Sequence, residues 1–299
     1  MKSNNLKSIM LSLLVMALWG SLFPFVKIGY NVFGIDSANV AEILMFAGVR
    51  FAISGFAVIL IALTKKEQLQ KPKGKTISSI LMVGFLSIVL HYAFTYIGLA
   101  TTDSAKTALI KQLGALLYVC FAFLFIKEEK FSALKIIGAL MGFGGIIAIN
   151  MSSAGVRFSM GDILIILASV CTVASSILSK KIVAKNSPFW VTGISQFTGG
   201  MILVLSAFIL GADMLTFHIR STVVFIYICT ASTVAYVLWN YIIRTANLSK
   251  MFIIKFAEPM FACIFGAILL GEDIFKIQYL VAFLLISLGI ILGNRSEKE

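Results

Sequence analysis

Residues 92–131 read YAFTYIGLATTDSAKTALIKQLGALLYVCFAFLFIKEEKF, and residues 236–275 read YVLWNYIIRTANLSKMFIIKFAEPMFACIFGAILLGEDIF. Laid over each other, 144 positions apart, they pair Tyr92 with Tyr236, Thr101 with Thr245, Lys106 with Lys250, Lys111 with Lys255, Glu128 with Glu272 and Phe131 with Phe275. The register continues to Gly145 over Gly289 and Asn150 over Asn294. Charged residues are scarce in these stretches, so two lysines and a glutamate recurring at one offset mark a repeat. Earlier in each half the match fades, and Arg50-Phe51 over Gln196-Phe197, at a slightly different offset, is its best remnant.

The repeated unit is apolar. Of the 299 residues 60% are hydrophobic and 13% charged, where a soluble domain carries about 25% charged residues. Apolar runs fall at approximately 8–32, 41–64, 77–99, 104–126, 132–150, 160–181, 189–211, 221–243, 251–271 and 276–293, each near the roughly 20 residues that cross a bilayer as a helix. Some runs adjoin closely enough to read as nine or eleven, but ten sorts the charges cleanly. The expected fold class is an all-α membrane protein of ten transmembrane helices, with residues 1–150 the first five-helix repeat and 151–299 the second. Five is odd, so the second half enters the membrane from the opposite side and the repeats are inverted. In secondary carriers such halves exchange roles around a site near the bilayer midplane. Water and ion channels can share the arrangement.

The formal charge of +12 would suggest nucleic acid if it formed a patch. Its distribution excludes that partner. Lys65, Lys66, Lys71, Lys73 and Lys75 fill one loop, Lys127, Lys130 and Lys135 another, and Lys180, Lys181 and Lys185 a third. With the amino terminus inside, 17 basic residues lie on inner loops, helix ends and tails. Four (Lys106, Arg157, Arg220, Lys276) lie outside and four (Lys27, Arg50, Lys111, Lys255) within helices. The positive-inside rule then predicts a multi-pass inner (plasma) membrane protein with both termini cytoplasmic. The first run outlasts a signal peptide's apolar core. Cys120, Cys171, Cys229 and Cys263 sit inside apolar runs without a C-x-x-C pair, which supports neither a metal site nor a disulfide framework. No G-x-x-x-x-G-K-[ST], H-E-x-x-H or G-x-S-x-G occurs, so ATP-driven pumping and hydrolase chemistry have no motif. We expect no enzyme activity, cofactor or metal.

A charge near the bilayer centre costs about 2.5–3.5 kcal/mol on insertion scales, so it faces a cavity or a partner. Arg50, Lys111, Lys255 and Glu258 are the candidates. Arg50 is at mid-depth, where substrate binding and a structural hydrogen bond are both open readings. Lys111 and Lys255 each follow a terminal lysine by five residues and could snorkel to an interface instead. Glu258 stands one turn after Lys255 on the same face, as partner or proton carrier. Trp19, His91, Tyr92, Tyr96, Gln112, Tyr236, Trp239 and Asn240 complete the candidate substrate-binding set, although intramembrane polar groups also serve as helix-to-helix hydrogen bonds and aromatic residues as interfacial anchors. Pro24 and Pro259 are expected to interrupt the first and ninth helices. Gly138 to Gly142 and Gly289 to Gly293 are GxxxG spacings suited to close packing between the halves.

These residues resemble the drug/metabolite transporter superfamily, and within it the EamA branch of ten-helix bacterial carriers. The first run contains ALWGSLFPFVK, similar to that family's early Trp-Gly, Pro and Lys pattern at Trp19, Gly20, Pro24 and Lys27; the ninth contains FAEPMFACIFGAILLGED, similar to its Glu-Pro start and Gly-Glu finish at Glu258, Pro259, Gly271 and Glu272. The resemblance covers nearly the whole chain. It departs where Ala115 aligns with Pro259 and Lys127 with Gly271, which predicts a straighter fourth helix than ninth. The resemblance implies a carrier but no particular substrate.

The functional expectation is a secondary transporter, an exporter of a small polar or amphipathic metabolite such as an amino-acid-like or carboxylate-containing compound, working by alternating access. Arg50, Lys111 and Lys255 outnumber Glu258, which favours an anionic group. His91 and Glu258 are the candidates for coupling to protons. The expected partners are the substrate and the lipid bilayer, with the chain a monomer or homodimer. An uptake or exchange carrier, a passive channel and a partner-binding membrane subunit are the alternatives.

Overall fold

A computed structural model describes residues 2–64, 72–99, 104–126, 129–150, 159–274 and 276–295. Lys65, Lys66, Lys71, Lys127, Arg157, Thr101, Glu128 and Phe275 lie outside these, and so do the side chains of Lys106 and Asn150. Among the described residues there are ten helical rods and no strand. They are α1 (Lys2–Phe33), α2 (Val40–Thr64), α3 (Lys75–Gly84, continued by Phe85–Leu90 and His91–Leu99), α4 (Ser104–Phe125), α5 (Ala133–Asn150), α6 (Met160–Val183), α7 (Pro188–Ile209), α8 (Ile219–Ile243), α9 (Leu248–Lys255 and Ala257–Leu270) and α10 (Ile277–Asn294). Helices are what apolar runs form in lipid, because every backbone N–H and C=O must be satisfied within the segment. Eight of the rods are long and apolar enough to cross a membrane, and α4 and α5 contribute shorter apolar helices over Ile110–Leu124 and Ala133–Ala148. The protein is a multi-pass, all-α membrane protein.

The two prolines act differently. Pro24 lies inside an unbroken α1, so the expected interruption of the first helix is absent; a single missing N–H has been absorbed without ending the rod. The ninth helix does break. It stops at Lys255, turns at Phe256 and resumes at Ala257, with Pro259 in the new first turn. A proline ring collides with the carbonyl four residues earlier, which is that of Lys255. The mate α4, with Ala115 at the aligned position, runs without a break, in line with the difference expected from sequence. In α3 the backbone widens into a π-helical turn over Phe85–Leu90, immediately before His91. Such turns frequently mark functional positions.

Packing follows the repeat. α5 lies against α10 through the expected glycines, and a Cβ on Gly138 would come within 2.5 Å of the Gly289 carbonyl oxygen. A second seam joins α2 to α7, where side chains at Gly48 and Gly55 would strike the backbones of Val204 and Phe197. The first helix of each half crosses to the other half: α1 packs on α8 and α9, and α6 on α3 and α4. Two apolar cores result. One, built on residues such as Met16, Ala122, Ile243, Phe252 and Ile286, lies toward the face where both termini emerge. The other, around Phe46, Phe51, Leu203 and Phe225, lies toward the opposite face.

Candidate functional site

Between the two cores lies the ring-lined interior that holds most of the candidate residues. Arg50 on α2 is buried, 5% exposed, and its Nε donates to Ser232 Oγ on α8 at 3.0 Å. Ser232 passes its own proton to the Ile228 carbonyl at 2.6 Å. That fixes the guanidinium by one of its five N–H donors. Among the described residues its terminal nitrogens meet no carboxylate. The guanidinium carbon stands 4.6 Å from the Phe51 ring centre, and Tyr30, Tyr92, Tyr96 and Tyr236 are near enough to interact with it through space.

A path of rings leads away from Arg50. Phe51 meets Tyr92 edge-on at 5.0 Å and Tyr236 at 6.0 Å; Tyr236 meets Trp19 at 5.5 Å, and Trp19 meets Trp239 at 5.4 Å. Edge-on pairs of this kind hold rings in fixed orientations. At the far end Lys255 places its Nζ 5.5 Å from the Trp19 ring centre, a cation–π distance. Lys255 therefore turns inward instead of snorkelling. Glu258, one turn further on, acts through space on both the Lys255 and Lys111 ammonium groups. His91 is held across α3 and α6, its Nδ1 3.1 Å from the Ala168 carbonyl and 2.9 Å from Thr172 Oγ1. A carbonyl only accepts, so this ring is set with the proton on Nδ1, and Nε2 is left as the acceptor. The π-helical turn of α3 ends at this histidine.

Asn240 is used elsewhere, and Gln112 keeps an open acceptor. The Asn240 amide accepts from Ser179 Oγ on α6 and donates to Thr192 Oγ1 on α7 at 2.9 Å, so it ties three helices together. Gln112 follows Lys111 on α4 and is buried, with Oε1 unpartnered. A surface cavity of about 530 Å³ lined by Leu117, Tyr118, Phe121, Ala122, Leu124, Ile126 and Ile177 is apolar and lies between α4 and α6. It has the chemistry of a lipid-facing groove and offers nothing to orient a polar substrate. Among the described residues no group of His, Cys, Asp and Glu side chains is placed to hold a metal.

The sequence reading missed one polar centre. Glu129, in the turn after α4, is 6% exposed. It accepts from Asn247 Nδ2 at 2.9 Å, from the Ser249 N–H at 3.2 Å and Oγ at 2.8 Å, and pairs with Lys135 Nζ at 3.4 Å. Asn247 and Ser249 begin α9, so the carboxylate caps that helix, where its free N–H groups and dipole favour an anion. Burial works to raise the Glu129 pKa, but the hydrogen bonds from Ser249 and Asn247, with Lys135, outweigh it and hold the carboxyl below the usual glutamate range. This clamp and the Tyr118–Phe252 ring contact at 4.9 Å join α4 to α9 at the terminal face. The repeat draws attention to Glu128, and nothing in sequence distinguishes its neighbour as the buried one. Ser232 was easier to find: it lies four residues before Tyr236, on the same helical face.

Comparison with known proteins agrees with this architecture. The model of the EamA-like transporter family matches residues 6–151 and 159–295. An uncharacterized transporter of Bacillus subtilis strain 168, YvbV, is 24% identical over 295 residues, covering 97% of this chain and 92% of the relative. The uncharacterized inner membrane transporter YedA of Escherichia coli K12 is 24% identical over 282 residues, covering 91% and 88%. A protein crystal structure superimposes with a TM-score of 0.78 over 96% of each chain at 17% identity, a likeness of fold. With a ten-rod fold, inverted halves and a match across both, the chain belongs to the EamA-like transporter family of membrane transporters.

Proposed function

We propose that this transporter is a secondary carrier that exports a small carboxylate-bearing metabolite, amino-acid-like or amphipathic, by alternating access of its two halves. The observation that carries the reading is Arg50: a buried guanidinium anchored through Nε to Ser232, 4.6 Å from the Phe51 ring centre, with Tyr92, Tyr96 and Tyr236 acting on it through space. An unpaired guanidinium at such depth is costly to keep, and its planar fork matches a carboxylate. The terminal face is taken as cytoplasmic from the excess of lysines there, and the Glu129 clamp then seals the cytoplasmic end of the pathway. Protons are the coupling ion we propose, with Glu258 and His91 as the candidate exchanging groups, the Nε2 of His91 being left as an acceptor while its Nδ1 is held against α6. In proteoliposomes, flux of a labelled amino-acid-like monocarboxylate should saturate, respond to a pH gradient and fall at least tenfold in Arg50→Gln, the loss of one charge-assisted pair. Flux that never saturates would make the protein a channel. An unchanged Arg50→Gln rate would remove the carboxylate site.

A further inference from the structure

We infer that the interior offers two cationic stations, and that the substrate therefore carries an acidic group at each end. The inference rests on the proposed reading of this interior as the binding site of a carboxylate-bearing compound. The first station is Arg50. The second is the Lys255 ammonium, which lies beyond Phe51, Tyr236 and Trp19 on the ring path with its Nζ 5.5 Å from the Trp19 ring centre; Glu258 follows one turn on along the same helix, and Lys111, the mate from the other half, interacts through space with both.

Counting charge decides how many anions this interior can take. Arg50, Lys111 and Lys255 supply three positive charges and Glu258 one negative, so two remain uncompensated in a low-dielectric interior. One carboxylate on Arg50 leaves the lysine end still short of a counter-ion, and one at the lysines leaves Arg50 so. Charges left unpaired in such surroundings are expensive, and pairing both stations at once removes both penalties. A zwitterion fares worse than a diacid, because its ammonium would face two lysines and compete with them for Glu258. The stations are joined by the edge-on rings of Phe51, Tyr236 and Trp19, whose faces and edges are apolar, so the part of the substrate between its two acids is a short hydrocarbon or similarly apolar linker. A diacid of matching length satisfies both ends and the wall between them.

The test uses the purified full-length protein and compares straight-chain diacids, from succinate to pimelate, with the monoacid and the ω-amino acid of the same chain length. Affinity is read by calorimetry or from ligand-induced thermal stabilisation, which follows mass action. At least one diacid should bind about tenfold or more tightly than both its analogues, the gain of one further charge-assisted hydrogen-bonded pair. Lys255→Gln should erase that advantage while leaving monoacid binding in place, and Lys255→Arg, which keeps the charge, should preserve it. Monoacids or ω-amino acids that bind as tightly as the diacids would overturn the inference while leaving an anion carrier standing. A monoacid that reaches diacid affinity only in chloride would assign the second station to an inorganic anion and overturn it equally. If no acid of any kind binds, the carboxylate-carrier reading on which the inference rests falls with it.

Discussion

Glu129 and Glu272 follow α4 and α9, the corresponding fourth helices of the two halves, and so lie on opposite faces of an inverted pair. Each meets a lysine at 3.4 Å. The Glu129 and Lys135 side chains are 3% and 13% exposed, whereas those of Glu272 and Lys27 are 50% and 69% exposed. Glu129 also holds Asn247 and Ser249 at the start of α9, while Glu272 reaches only across the rim to α1. The local turn accounts for part of the difference. Gly271 caps α9 in a left-handed conformation, φ 67°, with its N–H on the Ala267 carbonyl and the Glu272 N–H on Gly266. That turn folds the chain back along its own helix. Lys127 stands where this glycine would be, and the chain after α4 carries Glu129 inward instead. Equal distances thus conceal unequal energetics: burial and added hydrogen bonds, absent at the rim, decide what a charge pair contributes.

The strongest way to break this comparison is Glu129→Ala. It strands Lys135, Asn247 and the first N–H groups of α9 in a buried place, and should cost about 3–5 kcal/mol of unfolding stability in detergent. A loss below about 1 kcal/mol would make the clamp no better than a surface pair.

A smaller effect sharpens it through pH. Because the folded-state pKa of Glu129 is depressed, its contribution is complete above the unfolded value, about 4.3, and drains away as pH falls from there through the folded value. Wild type should therefore lose stability more steeply than Glu129→Gln below about pH 4.5, as followed by melting temperature. Parallel acid limbs for the two proteins would show that another group governs that range.

The smallest effect belongs to the rim. Lys27→Ala should change stability by no more than about 1 kcal/mol, since two exposed side chains gain little from pairing. A melting curve shifted as far as that of Glu129→Ala would erase the contrast between the faces.

Much of the fold was legible in the chain. Apolar runs in lipid have no stable form but the helix, so counting them located all ten rods, and Gly138, Gly142, Gly289 and Gly293 marked the α5–α10 seam. The α2–α7 seam escaped notice because Gly48 and Gly55, like Gly193 and Gly200, are seven apart and carry no GxxxG spacing. Pro24 misled for a related reason: a proline removes one hydrogen bond, and whether the rod breaks depends on what packs around it. Of the candidate site, Trp19, Arg50, Tyr92, Tyr96, Tyr236, Lys255 and their neighbours were identifiable as polar or aromatic groups set in apolar runs. That Asn240 would be consumed by Ser179 and Thr192 depends on helices 48 or more residues away in sequence.

Composition and spacing alone determined that this protein lives in a membrane, that its halves repeat and are inverted, and that charged groups lie at depth. Those conclusions need only hydropathy and parity, which are local or additive along the chain. Tertiary structure alone decided that α1 and α6 exchange between the halves, that Arg50 and Lys255 stand at two ends of one path of rings, and that Glu129 seals α4 to α9. Each of these depends on which helices become neighbours, and close packing between distant segments sets that in three dimensions.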